Sequence, residues 1–197
     1  MDKLRTVLDK LTTLAEGAGD DLAWFAQQMQ DLPDIAVTPK SLPVCALLNG
    51  TLELTNVKTR PVMQAICNAA HLLRWQQTYT EADGFSRAYL DAYGWFNLVS
   101  PEGIFINDTI RVSAGYLGGG LKYPQHWHEP EEFYLILAGK ATFYSDDRTP
   151  RLCGPGDVVH HESNQKHAIE MTDGPFFAAA FWRGGGLLAK SDLEGSK

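Results

Sequence analysis

The chain has 197 residues with 44% apolar content, 11% aromatic content and a formal net charge of −7. That length suits one domain with an appended segment, and the apolar share supports a core without disulfide staples. The acidic balance argues against a nucleic-acid binder, which needs a basic face to meet phosphates. It leaves room for a small anionic or zwitterionic ligand.

Three cysteines, Cys45, Cys67 and Cys153, lie far apart and form no CxxC pair. They read as reduced core thiols of a cytoplasmic protein, not as a disulfide or zinc framework. The N-terminal run is charged and amphipathic, unlike a signal peptide, and no stretch is long and apolar enough to span a bilayer. A soluble, cytoplasmic protein with no membrane partner is the expectation.

The first hundred residues read as helical. Leu4, Val7, Leu8, Leu11 and Leu14 recur at helical spacing until Gly17 and Gly19 stop them. Asp20 or Asp21 can cap a second helix carrying Leu22, Trp24, Phe25 and Met29, which Pro33 ends. A connection with Pro33, Pro39 and Pro43 follows. Pro61 suits the first turn of a third helix, with Val62, Ala65, Ile66, Ala69, Leu72 and Leu73 on one stripe. Asp83 or Gly84 opens a fourth, through Phe85, Ala88, Tyr89 and Ala92, closing near Gly94.

From Gly103 the pattern changes to short β-rich runs: Ile104–Leu117, Glu132–Leu137, Ala141–Tyr144, Asp157–His160, Lys166–Met171 and Phe176–Trp182. The turns between them include Ala138-Gly139, Ser145–Asp147 and Gly154–Gly156. Such punctuation predicts a sandwich or barrel. The division is therefore a helical segment over 1–102, a β-barrel over 103–190 and a fraying polar tail over 191–197. Phe133, Leu135 and Leu137 alternate with a polar face yet are themselves apolar, so that strand needs cover on both sides. The helical segment is the natural jacket, and its helices could also pair two subunits into a homodimer.

The chemistry concentrates between Gly120 and Gly139. His126, His128, Glu132 and Tyr134 share one parity. In a nearly continuous strand all four would face one cavity. Imidazole and carboxylate together suit one divalent ion of the zinc, iron, manganese, cobalt or nickel kind.

The spacing Gly120-x5-His126-x-His128-x3-Glu132-x6-Gly139 resembles the first motif of the cupin superfamily. Gly154-Pro-Gly-Asp157, followed by Asn164 and His167, resembles the looser second motif. The resemblance implies a cupin barrel (a double-stranded β-helix, mainly β with added α). It also implies a three-histidine, one-glutamate metal site of His126, His128, Glu132 and His167, with zinc or iron foremost. His160 and His161 compete for the fourth position; His167, at the start of the returning strand, is preferred.

The phrase His126-Trp-His-Glu-Pro-Glu-Glu-Phe-Tyr134, with Tyr123 before it, Trp182 after it and a helical N-terminal half, is similar to the cupin-type dimethylsulfoniopropionate lyases of marine bacteria. That likeness implies β-elimination of a small zwitterionic sulfonium to dimethyl sulfide and acrylate. Tyr134 would be the general base, Tyr123 a second catalytic candidate, and Tyr123 with Trp182 the sulfonium pocket. Arg183 or Lys122 could steer the substrate carboxylate, and Trp127 and Phe133 should face the helices. An iron-dependent cupin dioxygenase or isomerase is the alternative enzyme, and a ligand-sensing module without turnover the third reading.

Overall fold

A computed structural model describes residues 2–146 and 148–194. Two helices, α1 (Asp2–Glu16) and α2 (Asp20–Gln28), precede a 3-10 stretch over Pro43–Leu54 and helix α3 (Arg60–Ala69). Pro61 sits in the first turn of α3, where its missing N–H costs nothing. Among the described residues no helix is long and apolar enough to cross a membrane.

The expected fourth helix shrinks to α4 (Arg87–Asp91). The Ser86 hydroxyl accepts from the Tyr89 amide at 3.2 Å and sets the start of this helix. The first strand, β1 (Tyr93–Ser100), then begins well before Gly103. The barrel thus takes in part of the 1–102 segment read as helical. The reason is burial on both faces. Tyr93 and Trp95 point inward, while Phe96 and Leu98 meet the helices. The run therefore lacks the apolar–polar alternation that announces a half-exposed strand.

Strands β2 (Phe105–Ile106), β3 (Ile110–Leu117), β4 (Lys122–Trp127), β5 (Glu131–Gly139), β6 (Ala141–Ser145), β7 (Arg148–Cys153), β8 (Val158–His161), β9 (His167–Glu170), β10 (Phe176–Arg183) and β11 (Asp192–Leu193) complete the fold. One sheet has the order β2-β1-β3-β10-β5-β8 and the other β11-β4-β9-β6-β7. Apart from the parallel β1–β2 pair, the strand pairs are antiparallel, and the two sheets wrap into the expected cupin barrel.

The tail does not fray where it begins. Asp192 pairs with Trp127, Leu193 pairs with His126, and the Glu194 amide donates to the Gln125 carbonyl at 3.0 Å. Residues 195–197 of the expected tail, and Asp147 of the expected Ser145–Asp147 turn, lie outside the described residues.

The outer face of the first sheet carries Phe133, Leu135, Leu137, Phe177 and Phe181. These join Leu8, Leu11, Phe25 and Ile66 of the helices in one buried cluster. Phe25 packs edge-on against Phe133 at 5.8 Å and Phe181 at 5.4 Å between ring centres. Each such ring contributes about 1.5–3 kcal/mol by burial, so the helices share the barrel's core. A second cluster fills the interior, with Tyr79, Tyr93, Tyr123, Ile136, Phe143 and Phe176. Gly139 closes β5 at φ +72°, and a Cβ there would run into the Pro175 carbonyl. Only glycine permits that close crossing of two strands.

Candidate metal centre and cavity

The four residues of the motif do not lie on one continuous strand. His126 sits on β4, Glu132 and Tyr134 on β5, and the link between them, with His128 and Pro130, turns the chain. The turn puts the two strands in different sheets, so the side chains converge across the barrel. Strand β9 pairs beside β4, with His126 opposite His167.

His126, His128, Glu132 and His167 each offer one ligand atom, and these atoms all lie within 4.8 Å of one another. All four residues are at most 4% exposed. Each imidazole has its Nδ1 fixed by a backbone carbonyl. His126 bonds Pro124 at 2.9 Å, His128 bonds Pro130 at 2.9 Å, and His167 bonds Gln165 at 2.8 Å. A carbonyl can only accept, so each Nδ1 donates and each Nε2 is turned to the centre. The Nε2 atoms of His128 and His167 stand 3.1 Å from Glu132 Oε2. Three such nitrogens gathered with one carboxylate make a donor set that fits a metal ion.

The electrostatics point the same way. Burial alone would raise the Glu132 carboxyl, but the charge and hydrogen bonds of His128 and His167 hold it well below the usual carboxylate range. Burial, with the nearby His167, pushes His126 well below the ordinary histidine value. Burial also works against protonated His128, yet Glu132 raises it on balance. The other Glu132 oxygen, Oε1, accepts the Trp182 indole N–H at 2.6 Å.

The competing histidines part company. His160 turns outward, bonds Glu131 at 2.7 Å and stacks on Phe133. His161 is buried and lies parallel to the His167 ring at 4.0 Å, outside the ligand group. Its Nδ1 meets the Ser145 hydroxyl at 3.2 Å, and burial pushes it down to about 3.

The centre opens into a cavity of about 290 Å³ whose lining includes Tyr93, Trp95, Arg111, Tyr123, Tyr134 and Trp182. That volume suits a small molecule. Small residues make the space: Ser113, Gly115, Ala178 and Ala180 also line it. A Cβ on Gly115 would crowd the Trp95 Cβ at 2.9 Å. Burial and then the charge of Glu132 keep the Tyr134 phenol well above its ordinary value. Burial does the same to Tyr123, whose hydroxyl meets that of Tyr79 at 3.3 Å and whose ring stands edge-on to His126 at 4.5 Å.

Three expectations need correction. Arg183 is outside the cavity, bound to Glu131 at 2.6 Å and Asp21 at 3.0 Å. Lys122 is exposed and lies over the Tyr144 ring at 5.6 Å. Trp127 meets Lys166 at 5.0 Å, not a helix, because β4 belongs to the sheet away from the jacket. Arg111, Tyr93 and Trp95 also line the cavity without a motif that marks them in the sequence. Strand parity could have found Arg111. It shares a face with the small residues Ser113 and Gly115, while Val112, Ala114 and Tyr116 take the other.

The family model for dimethylsulfoniopropionate (DMSP) lyase matches residues 19–178. The chain belongs to the DMSP lyase family. It is 34% identical over 163 residues to dimethylsulfoniopropionate lyase DddQ of Ruegeria pomeroyi, covering 83% of this chain and 81% of that relative. The fold matches a structure reported with the DMSP lyases RdDddP and RnDddQII at TM-score 0.92, with 30% identity and 98% of both chains covered. It matches the crystal structure of DddQ from Ruegeria pomeroyi at TM-score 0.89, with 31% identity over 98% of this chain and 96% of the other. The matched segment holds Tyr123, Tyr134 and the four clustered residues, while Trp182 lies just beyond it.

Proposed function

We propose that this chain is a metal-dependent carbon–sulfur lyase that cleaves dimethylsulfoniopropionate to dimethyl sulfide and acrylate. The observation that carries the reading is a buried three-histidine, one-glutamate cluster opening onto a small aromatic cavity, in a member of the DMSP lyase family.

His126, His128, Glu132 and His167 would hold one divalent transition metal ion, zinc or iron foremost and manganese, nickel or cobalt next in order. When bound, such an ion supplies Lewis acidity toward a substrate carboxylate and a positive charge that lowers a neighbouring phenol.

Tyr134 is the general base. It shares the inward face of β5 with Glu132 and lines the same cavity. As phenolate it takes the proton from the carbon α to the carboxylate. That C–H electron pair becomes the new double bond, and the β-carbon–sulfur pair leaves on sulfur as neutral dimethyl sulfide. A neutral leaving group needs no acid, and among the described residues lining the cavity Glu132 is the sole carboxylic acid. Tyr123, placed against His126, is the second candidate for proton handling. Together with Trp182 it supplies aromatic wall, which attracts a sulfonium without offering it a strong nucleophile.

Metal analysis and a headspace assay on one preparation test the reading. Protein carrying one equivalent of metal should release dimethyl sulfide from dimethylsulfoniopropionate. Fully loaded protein that releases none would remove the lyase reading.

A further inference from the structure

Arg111 is a buried cation that the metal cluster does not use. It is 9% exposed and lines the cavity. Its Nε donates to Asn97 Oδ1 at 3.0 Å and its Nη1 to the Leu187 carbonyl at 2.9 Å. Its guanidinium lies over the Trp95 ring at 4.9 Å and the Trp182 ring at 4.7 Å. Both acceptors are neutral, and no carboxylate forms an ion pair with it among the described residues. A buried, unpaired cation is costly unless something of opposite charge completes it.

The cavity supplies no such group. Its carboxylate, Glu132, is engaged by Trp182, His128 and His167. The other basic residue on the lining, Lys190, is answered by Asp83 at 3.0 Å. Among the described residues on this lining, Arg111 is therefore the cation without an ion-pair partner. It is held at a fixed orientation by two hydrogen bonds and two ring faces. A planar guanidinium so held suits a carboxylate, whose two oxygens match its donors.

We propose that Arg111 binds the carboxylate of the substrate and so selects acids over plain cations. The inference rests on the lyase reading for the identity of that acid, a three-carbon carboxylate. It also assigns the other end of the substrate. This narrows the proposed Tyr123–Trp182 wall: the guanidinium already lies over the rings of Trp95 and Trp182, so within that wall Tyr123 is the face left for the sulfonium, with Tyr93 and Tyr134 lining the same cavity.

The test uses the full-length, metal-loaded protein and two unreactive probes, propionate and propionamide, titrated by calorimetry. Wild type should prefer propionate to propionamide by at least ~10-fold, the scale of a hydrogen bond to a charged group. Arg111→Gln should lose most of that preference, keeping only the share the metal supplies, and Arg111→Lys should recover part of it, with metal content unchanged in both. Equal propionate affinity in wild type and a folded Arg111→Gln protein would overturn the assignment, since the metal alone would then be binding the acid. Should Arg111→Gln not fold, absence of any preference for propionate in wild type overturns it equally. Dimethyl sulfide release by wild type is scored separately, so a failure of the lyase reading is distinguishable from a failure of the Arg111 assignment.

Discussion

Trp182→Phe probes the centre through a residue that need not touch the metal. The indole N–H donates to Glu132 Oε1 at 2.6 Å, inside the barrel, while Oε2 faces His128 and His167. Phenylalanine keeps a ring between Arg111 and His128 but removes this donor. A short hydrogen bond to a buried carboxylate is worth about 1.5–3 kcal/mol. Its loss has two effects: the oxygen is left unsatisfied, and the carboxylate is free to rotate. Partners of this kind on ligating side chains typically govern about 10–100-fold in metal affinity. We expect a weakening of that size, measured by competition against a chromophoric chelator.

Two controls make the expectation specific. Melting temperature should change little in the presence of saturating metal, because the ring remains in place. Turnover at saturating metal should survive better than affinity does, since Tyr134 is untouched. If Trp182→Phe binds metal within two-fold of wild type, the indole contact does not support a ligating Glu132. The metal reading of the cluster would then lose its best-defined supporting bond.

Tyr134→Phe should cut dimethyl sulfide release by ~10²–10⁴-fold, the usual contribution of a positioned base, with metal content retained; unchanged turnover makes the phenol structural. Phe25→Ala should destabilise the whole chain by about 3–5 kcal/mol, because Phe25 joins the helices to Phe133 and Phe181 of the barrel. A single cooperative denaturant transition is expected, and two separate transitions would make the helices an independent unit. In metal-free protein, stability should fall as pH drops below the ordinary histidine value of 6.5 and go on falling toward 3. His161 and His126 are both lowered in the fold, so the unfolded chain binds protons there first and acid favours unfolding. His128, raised on balance by Glu132, works in the opposite sense, one group against two. A melting temperature flat from pH 7 to about 4.5 would contradict this linkage.

Much of the centre was legible because chelation imposes spacing. His126, His128 and Glu132 announce themselves at short separations on β4, the turn and β5. His167 needed the second motif, since only strand pairing brings it opposite His126. The barrel after Gly103 was legible through its turns. What escaped has a common physical cause. β1 is buried on both faces, so it shows neither strand alternation nor helical period. Arg111 gains its place only from the pairing of β3 with β10, which sets it opposite Trp182. Parity places His126 on one nearly continuous strand with Tyr134; the separate β4 is hidden because Pro124, Gln125 and the histidines do not resemble a strand by propensity.

The sheet joins Arg111 to the cluster. β5, β10 and β3 are neighbours in one sheet, and their cross-strand partners run Glu132, Trp182, Arg111. That row passes from the metal-type carboxylate, through an indole bonded to it, to a guanidinium packed on the indole's face. Sheet geometry brings such directly opposed side chains together, so three residues far apart in sequence form one polar line along the cavity wall. The line carries a negative group at one end and a positive group at the other, with an aromatic ring between. The register of β10 against its two neighbours therefore fixes where Trp182 stands between Glu132 and Arg111.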